Sequence, residues 1–217
     1  KSDGNNLVAD SSFNWFNYCE YHEDEKENIC HQGRTLLGEK FDQTLSHTFN
    51  HNLPNISNNS PLLVKYQVAS VSAVPSTIVL KANTNTTDIV SMSTLFNPDA
   101  CFVESGIKTL QVPMAANLQL LFSYNKPISS SKAWLDYYEI HCARNLSYSE
   151  SFMGFRNVNS KTSTVAEYRL SNLPNSAQVF DVSDPLNPLL QNMFSLNGEL
   201  VFRDQTVGKI KEFGLTD

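Results

Sequence analysis

Apolar and polar residues alternate with a period of two in several segments of this chain between residues 44 and 142, and the pattern loosens after Arg144. In residues 62–73, Val64, Tyr66 and Val68 share one parity and Leu63, Lys65 and Gln67 the other. Residues 77–82 repeat the pattern, with Ile78, Leu80 and Ala82 set against Thr77, Val79 and Lys81. Leu118, Leu120, Phe122 and Tyr124 form one side of a further segment, opposite Gln119 and Ser123. Residues 44–53 bring Leu45, His47, Phe49 and His51 to one face. Residues 133–142 separate Trp134, Tyr138, Ile140 and Cys142 from Tyr137, Glu139 and His141. Successive side chains of a strand point to opposite faces, so this spacing predicts half-buried strands.

The punctuation between these segments is that of turns. Residues 52–61 are dense in Asn, Ser and Pro, whose side chains and fixed φ favour loops over ladders. Residues 107–112 and 118–124, broken at Pro113, are expected to form a hairpin-linked pair. Residues 168–190, YRLSNLPNSAQVFDVSDPLNPLL, give a strand, a turn at Leu173-Pro174-Asn175-Ser176, a second strand, and a loop closed by Pro185 and Pro188. Asn197-Gly198 predicts a tight hairpin, because both residues tolerate positive φ. Residues 13–18 are aromatic and expected to dock on the body; 20–28 are acidic and expected as a solvated loop or one short helical turn; 214–217 look like a linker. Short strands spaced by turns, with almost no helical periodicity, imply an all-β protein. Its expected form is an antiparallel β-sandwich, jelly-roll or Ig-like, with little helix. The expected organisation is an N-terminal extension over 1–39, a sandwich over 40–145, and further strands or a small second β module over 146–217.

Composition narrows the functional classes. The 217 residues carry 16 basic and 22 acidic side chains, a net charge of −6. No Lys/Arg cluster is present, so a phosphate-tracking surface and a nucleic-acid partner are not expected. No apolar run approaches the ~18 residues of a membrane-spanning helix, so no transmembrane segment is expected. There is no signal-peptide pattern, and a chain beginning at Lys1 is expected to be mature or trimmed.

Four cysteines, Cys19, Cys30, Cys101 and Cys142, permit one or two disulfides in an oxidising compartment, with Cys19–Cys30 the nearest pair in sequence. Cys142 follows His141, but strand neighbours face opposite ways, so these two cannot form a thiol–imidazole dyad. Cys101 follows Asn97-Pro98-Asp99-Ala100, a turn without a nucleophile's glycine-rich context. No catalytic residue, no reactive thiol and no cofactor are therefore expected. Cys19, His22, Cys30 and His31 offer N/S ligands, but their spacing departs from zinc knuckles. His47 and His51 share a strand face, where packing is the simpler account. Asp181 and Asp184, around Ser183, are the weak metal candidates, for calcium; an Asx-turn explains them more simply. Trp15, Tyr18 and Tyr21 are the candidate ligand-facing aromatics of a carbohydrate-binding module, the alternative function; Trp134, in a regular strand, reads as core.

Three segments also carry a family resemblance. Arg169-Leu170 followed by Val179-Phe180-Asp181-Val182-Ser183-Asp184-Pro185 and Pro188 resembles a segment upstream of the protease domain in gingipain-like surface proteins. The Asp-Val-Ser-Asp-Pro run also occurs in β-propeller blades, but a propeller repeats it and this chain has one copy. Gly33 to Phe41, GRTLLGEKF, resembles the entry to that family's first β-domain, and Trp134 to Ile140, WLDYYEI, resembles a late strand of it. In this order they are similar to the PorU-type sortases, the C-terminal signal peptidases of type IX secretion in Bacteroidetes. The resemblance implies a non-catalytic β-sandwich fragment at the outer-membrane surface, with the cysteine-peptidase domain of the same protein downstream as a partner. It also implies contact with other secretion-system or cargo proteins. The intact family enzyme removes a C-terminal sorting signal from cargo and passes the cargo to an anionic lipopolysaccharide. None of the family's catalytic motifs has a counterpart in this sequence.

Overall fold

The structure, a computed structural model, describes residues 6–29, 35–84, 86–96 and 100–217. Strands dominate them, and helix is confined to short 3-10 turns such as Val158–Thr162. The all-β architecture predicted from the alternation is what forms. The chain divides into two compact units, Cys19–Leu53 with Pro61–His141, and Lys1–Tyr18 with Pro54–Ser60 and Cys142–Asp217. The segment 1–39 is more than an extension: it supplies β1 (Ser11–Phe13) and the nine-residue β2 (Trp15–Glu23). The acidic stretch expected as a loop from Glu20 is, as far as Glu23, part of β2.

In the unit containing Cys19–Leu53, one sheet has the order β10 (Lys108–Val112), β6 (Leu62–Val71), β12 (Lys132–Asn145), β2. Short strands β3 (Lys40–Phe41) and β9 (Val103–Glu104) pair with β12 and β6, and, in the other unit, β5 (Ile56–Ser57) pairs with the end of β12 at Ala143 and Arg144. The second sheet is β4 (Ser46–Asn52), β11 (Asn117–Asn125), β7 (Ser76–Ala82), β8 (Thr86–Met92). The alternation of β6, β7 and β11 maps directly onto burial: Val64, Tyr66, Val68, Ile78, Leu80, Leu120 and Phe122 are all fully buried. Tyr138 is wedged among His22, Phe49 and Phe122, with ring centroids at 4.8, 5.1 and 6.0 Å. Each fully buried ring is worth roughly 1.5–3 kcal/mol of transfer free energy. The hairpin expected between 107–112 and 118–124 does not form. β10 pairs with β6 and β11 with β4 and β7, in different sheets. Pro113 lies where the chain passes from one to the other.

β12 departs from simple alternation. Its register against β6 shifts between Leu135 and Tyr137, leaving Asp136 as the extra residue of a bulge. A bulge resets the parity of everything beyond it. Tyr138 is therefore opposite Tyr66 on the inner face, whereas Trp134 is opposite Ala69 on the outer one. The single face predicted for Trp134, Tyr138 and Ile140 is thus two faces. Trp134 is still core, but of a separate small cluster with Leu37, Ala69, Ile29, Val71 and Phe102, and its indole N–H donates to Glu27 Oε2 at 2.9 Å.

The other unit has two four-stranded sheets. One has the order β1, β14 (Val165–Leu170), β18 (Glu199–Gln205), β17 (Phe194–Leu196), with β1 parallel to β14. The other is β13 (Phe152–Phe155), β19 (Phe213–Thr216), β15 (Gln178–Asp181), β16 (Leu189–Leu190). The strand-turn-strand of residues 168–190 is present, but its two strands belong to different sheets. Tyr168, Phe202, Phe213 and Phe155 form its aromatic centre, with Tyr168 and Phe202 stacked at 4.9 Å. Residues 214–217, expected as a linker, lie largely in β19, where Gly214 and Leu215 are buried between β13 and β15. Asn197 and Gly198 have φ of 51° and 84°, the primed turn their sequence predicts.

Candidate functional site

The outer faces of β2, β6 and β12 bring together the most chemically varied side chains described. On β2, Cys19, Tyr21 and Glu23 alternate outward while Glu20 and His22 are turned the other way. On β12, beyond the bulge, Glu139 and His141 share a face because they are two residues apart. On β6, Lys65 is the direct register partner of Glu139. One ligand atom from each of Cys19, Glu139 and His141 lies within 4.8 Å of the other two. His141 Nε2 is 2.6 Å from Glu139 Oε2, and Lys65 Nζ donates to Glu139 Oε1 at 3.0 Å. Burial alone would raise the Glu139 carboxyl, but the hydrogen bonds from His141 and Lys65 outweigh it and hold the group below its usual range.

Next to this cluster, Tyr21 and Tyr137 lie with ring centroids 6.0 Å apart. The Tyr21 hydroxyl donates to Glu23, which, together with burial and the nearby carboxylates, raises its pKa. Burial first, then the charges of Glu104 and Glu23, push Asp136 up to about 6. The face is thus net acidic around one lysine.

A thiol and an imidazole lie within 4.8 Å of each other on this face, and they are not the pair considered from sequence. Cys142 is buried and Cys19 is the thiol beside His141. The Cys19–Cys30 disulfide does not form, since Cys19 and Cys142 are thiols, while Cys101 is disulfide-bonded. Cys30, His31, Gly33, Arg34 and Asn97 to Asp99 lie outside the described residues. The zinc set suggested around Cys19 and His22 is divided between faces: His22 Nε2 is 3.0 Å from Glu39 Oε1. Glu39 borders a cavity of about 510 Å³ together with Lys26, Lys40 and His47. His47 Nε2 is 3.1 Å from the Lys40 carbonyl, and His51 Nδ1 is 2.7 Å from Glu20, so the two histidines of β4 serve the packing.

The remaining candidates lie apart from this face. Asp181 Oδ1 accepts from the Ser183 amide at 3.0 Å and its Oδ2 pairs with Lys211 at 3.0 Å. Asp184 accepts from the Leu186 amide at 3.0 Å and from Asn187 Nδ2 at 2.8 Å. Both carboxylates are thus engaged in the Asx-turn arrangement. Trp15 is half-buried against the aromatic centre of its unit. Tyr18 lies under the Arg144 guanidinium, 4.7 Å from ring centroid to carbon. Tyr21, at 54% exposure, is the one of the three aromatics that faces solvent.

No protein-family model matches the chain, and no curated protein matches it. A solved structure does: the crystal structure of dimeric latent PorU from Porphyromonas gingivalis superposes over 100% of this chain with a TM-score of 0.82 at 19% identity. The chain shares its fold with part of that protein. It spans 22% of the PorU chain. A carbohydrate-binding module, CBM36 in complex with calcium and xylotriose, aligns over 56% of this chain and 98% of its own, at 12% identity and a TM-score of 0.38. Among the described residues, no helix is long and apolar enough to cross a membrane.

The Cys19–Glu139–His141 group escaped sequence reasoning for a simple reason. Alternation identifies which residues of one strand share a face; it does not say that β2 lies next to β12, more than a hundred positions away. The visible signal was the outward parity of Glu139 and His141.

Proposed function

We propose that this chain is a non-catalytic β-sandwich portion of a PorU-like cell-surface protein. In this reading it supports a cysteine-peptidase domain or holds cargo and partner proteins at the outer-membrane surface. The observation that carries it is the full-length match of fold to a 22% portion of PorU. The three ordered motifs add support, as does a disulfide at Cys101, a bond typical of chains that mature in oxidising compartments.

The proximity of Cys19 to His141 does not change the non-catalytic assignment. Acyl transfer needs donors aimed at the developing oxyanion. Here the backbone from Glu139 to His141 is paired residue for residue with Lys65 to Leu63 in the ladder, and the cluster lies on a sheet face. The test is direct. Purified chain is incubated with a cargo protein bearing a C-terminal β-sandwich sorting signal, and separately titrated by calorimetry with the peptidase domain of a PorU-type protein. Binding to cargo or peptidase domain without cleavage is the expected result. Turnover that disappears in Cys19→Ser, or no binding to either, overturns the reading.

A carbohydrate-binding role keeps one specific observation, the exposed Tyr21 beside Tyr137. Glycan-array binding lost on Tyr21→Ala would favour it.

A further inference from the structure

We propose that Cys19, Glu139 and His141 form a three-ligand site for a zinc-type divalent cation. The three donors are a thiol, a carboxylate and an imidazole, the set that a borderline-soft, tetrahedral ion accepts. Their ligating atoms already lie within 4.8 Å of one another. Around zinc, with bonds of about 2.0–2.3 Å, ligand atoms stand roughly 3.3–3.8 Å apart. Around an ion the wider separations must close by about 1 Å and the 2.6 Å His141–Glu139 pair must open by somewhat less, movements within the reach of small side-chain adjustments. The backbone needs no change, because sheet geometry fixes Glu139 and His141 on one face and brings Cys19 alongside from β2.

The surroundings suit a cation. His141 Nε2 and Glu139 Oε2 stand 2.6 Å apart in a hydrogen bond, and a metal ion would take the place of that bond. Lys65 holds the other oxygen, Oε1, at 3.0 Å, which fixes the carboxylate and leaves Oε2 as the ligand. Such outer partners orient the groups that bind metal. The positive charge of Lys65 is opposed by Glu23 and Asp136, whose charges reach the neighbouring Tyr21 and Tyr137. Cys19 is exposed, and the His141 side chain is 41% exposed. Solvent can therefore complete the tetrahedron.

The site has a spectroscopic signature. Cobalt(II) is titrated into the full chain and followed through its thiolate-to-metal charge-transfer band, then displaced with zinc. One equivalent with a thiolate band that zinc abolishes is expected. Cys142→Ser should retain the band and Cys19→Ser should lose it. His141→Gln and Glu139→Gln should each weaken binding about tenfold or more. Binding should also weaken as pH falls, because protons compete for the thiolate and the imidazole. Thermal unfolding supplies a second measure: zinc should raise the midpoint of the wild-type chain and not that of Cys19→Ser. No thiolate band in the wild type, or a band or zinc-dependent midpoint shift that survives Cys19→Ser, overturns the proposal.

Discussion

Trp134 and Tyr138 stand four residues apart on one strand and point to opposite faces of it. Trp134 is opposite Ala69, on the outer side, and Tyr138 is opposite Tyr66, on the inner side. An unbroken strand would place them together. The bulge at Asp136 lets β12 serve two cores, one against Leu37 and Phe102 and the other against Phe49 and Phe122. It also determines which side chains of Tyr137 to His141 face outward, so the candidate site depends on it.

Asp136 itself works against stability at neutral pH. Burial, with the charges of Glu104 and Glu23, raises its carboxyl from 3.8 to about 6. The folded state thus holds a proton more tightly than the unfolded one. Below about pH 4 both states are protonated and the residue is neutral in effect; between 4 and 6 stability falls as pH rises, and above 6 the loss is complete. Asp136→Asn should raise the melting midpoint at pH 7.5 by about 2–4 °C, on the order of 1 kcal/mol, and leave it unchanged near pH 4. Equal midpoints for the two proteins at pH 7.5 would contradict this account.

Tyr66 carries a hydrogen bond inside its sandwich. Its ring is fully buried, and its hydroxyl donates to Asp88 Oδ2 at 2.7 Å. Burial, Asp88's hydrogen bond and its charge all raise the phenol. Tyr66→Phe keeps the ring and removes the donor, so it should cost about 1–2 kcal/mol in urea unfolding. In a double-mutant cycle with Asp88→Asn, most of that loss should appear as coupling. Additive losses would place the energy elsewhere.

Alternation made the inner faces of β6, β7 and β11 legible, because each runs without a bulge and, apart from Ala69 beneath Trp134, buries mainly one side. It failed on β12, where one extra residue inverts parity and no residue type announces a bulge. It failed again for 214–217: a strand buried on both sides need not alternate, and Phe213 to Thr216, four residues with Gly214 among them, gives too short a pattern to detect. Pairing was the larger loss. The Lys65–Glu139 ion pair and the proximity of Cys19 to His141 join strands far apart in sequence, and local pattern holds no information about them. The turn at Asn197-Gly198 was legible because its requirement is local.

That turn makes a sharp prediction. Asn197 and Gly198 both have positive φ, 51° and 84°, and connect β17 to β18. An L side chain at the second position is strained whatever space surrounds it, and there is open space where a Cβ would lie. Gly198→Ala should therefore cost about 1 kcal/mol through backbone conformation alone. Gly198→Asn, which tolerates this region better, should recover part of it. Thermal melts of the two variants that coincide would show the strain to be absorbed elsewhere.

Lys211 bridges two carboxylates that are themselves nearly buried. Its Nζ lies 3.0 Å from Asp181 Oδ2 and 2.6 Å from Asp204 Oδ2, and the two acids are 7% and 8% exposed. Burial alone would raise Asp181, but the hydrogen bonds from Ser183 and Lys211 and the ammonium charge bring it below 3.8. An acid depressed by folding adds stability above its unfolded pKa and loses it as pH falls through the folded value. Lys211→Met removes the cation and leaves two uncompensated carboxylates, so it should destabilise the chain by about 3 kcal/mol at pH 7. As pH falls toward 4 the variant's carboxylates take up protons and the penalty relaxes, so the gap between variant and wild type should narrow. Urea unfolding at pH 7 and pH 4 measures both gaps. A gap of the same size at the two pH values would mean that Lys211 acts through packing of its aliphatic stem rather than through charge.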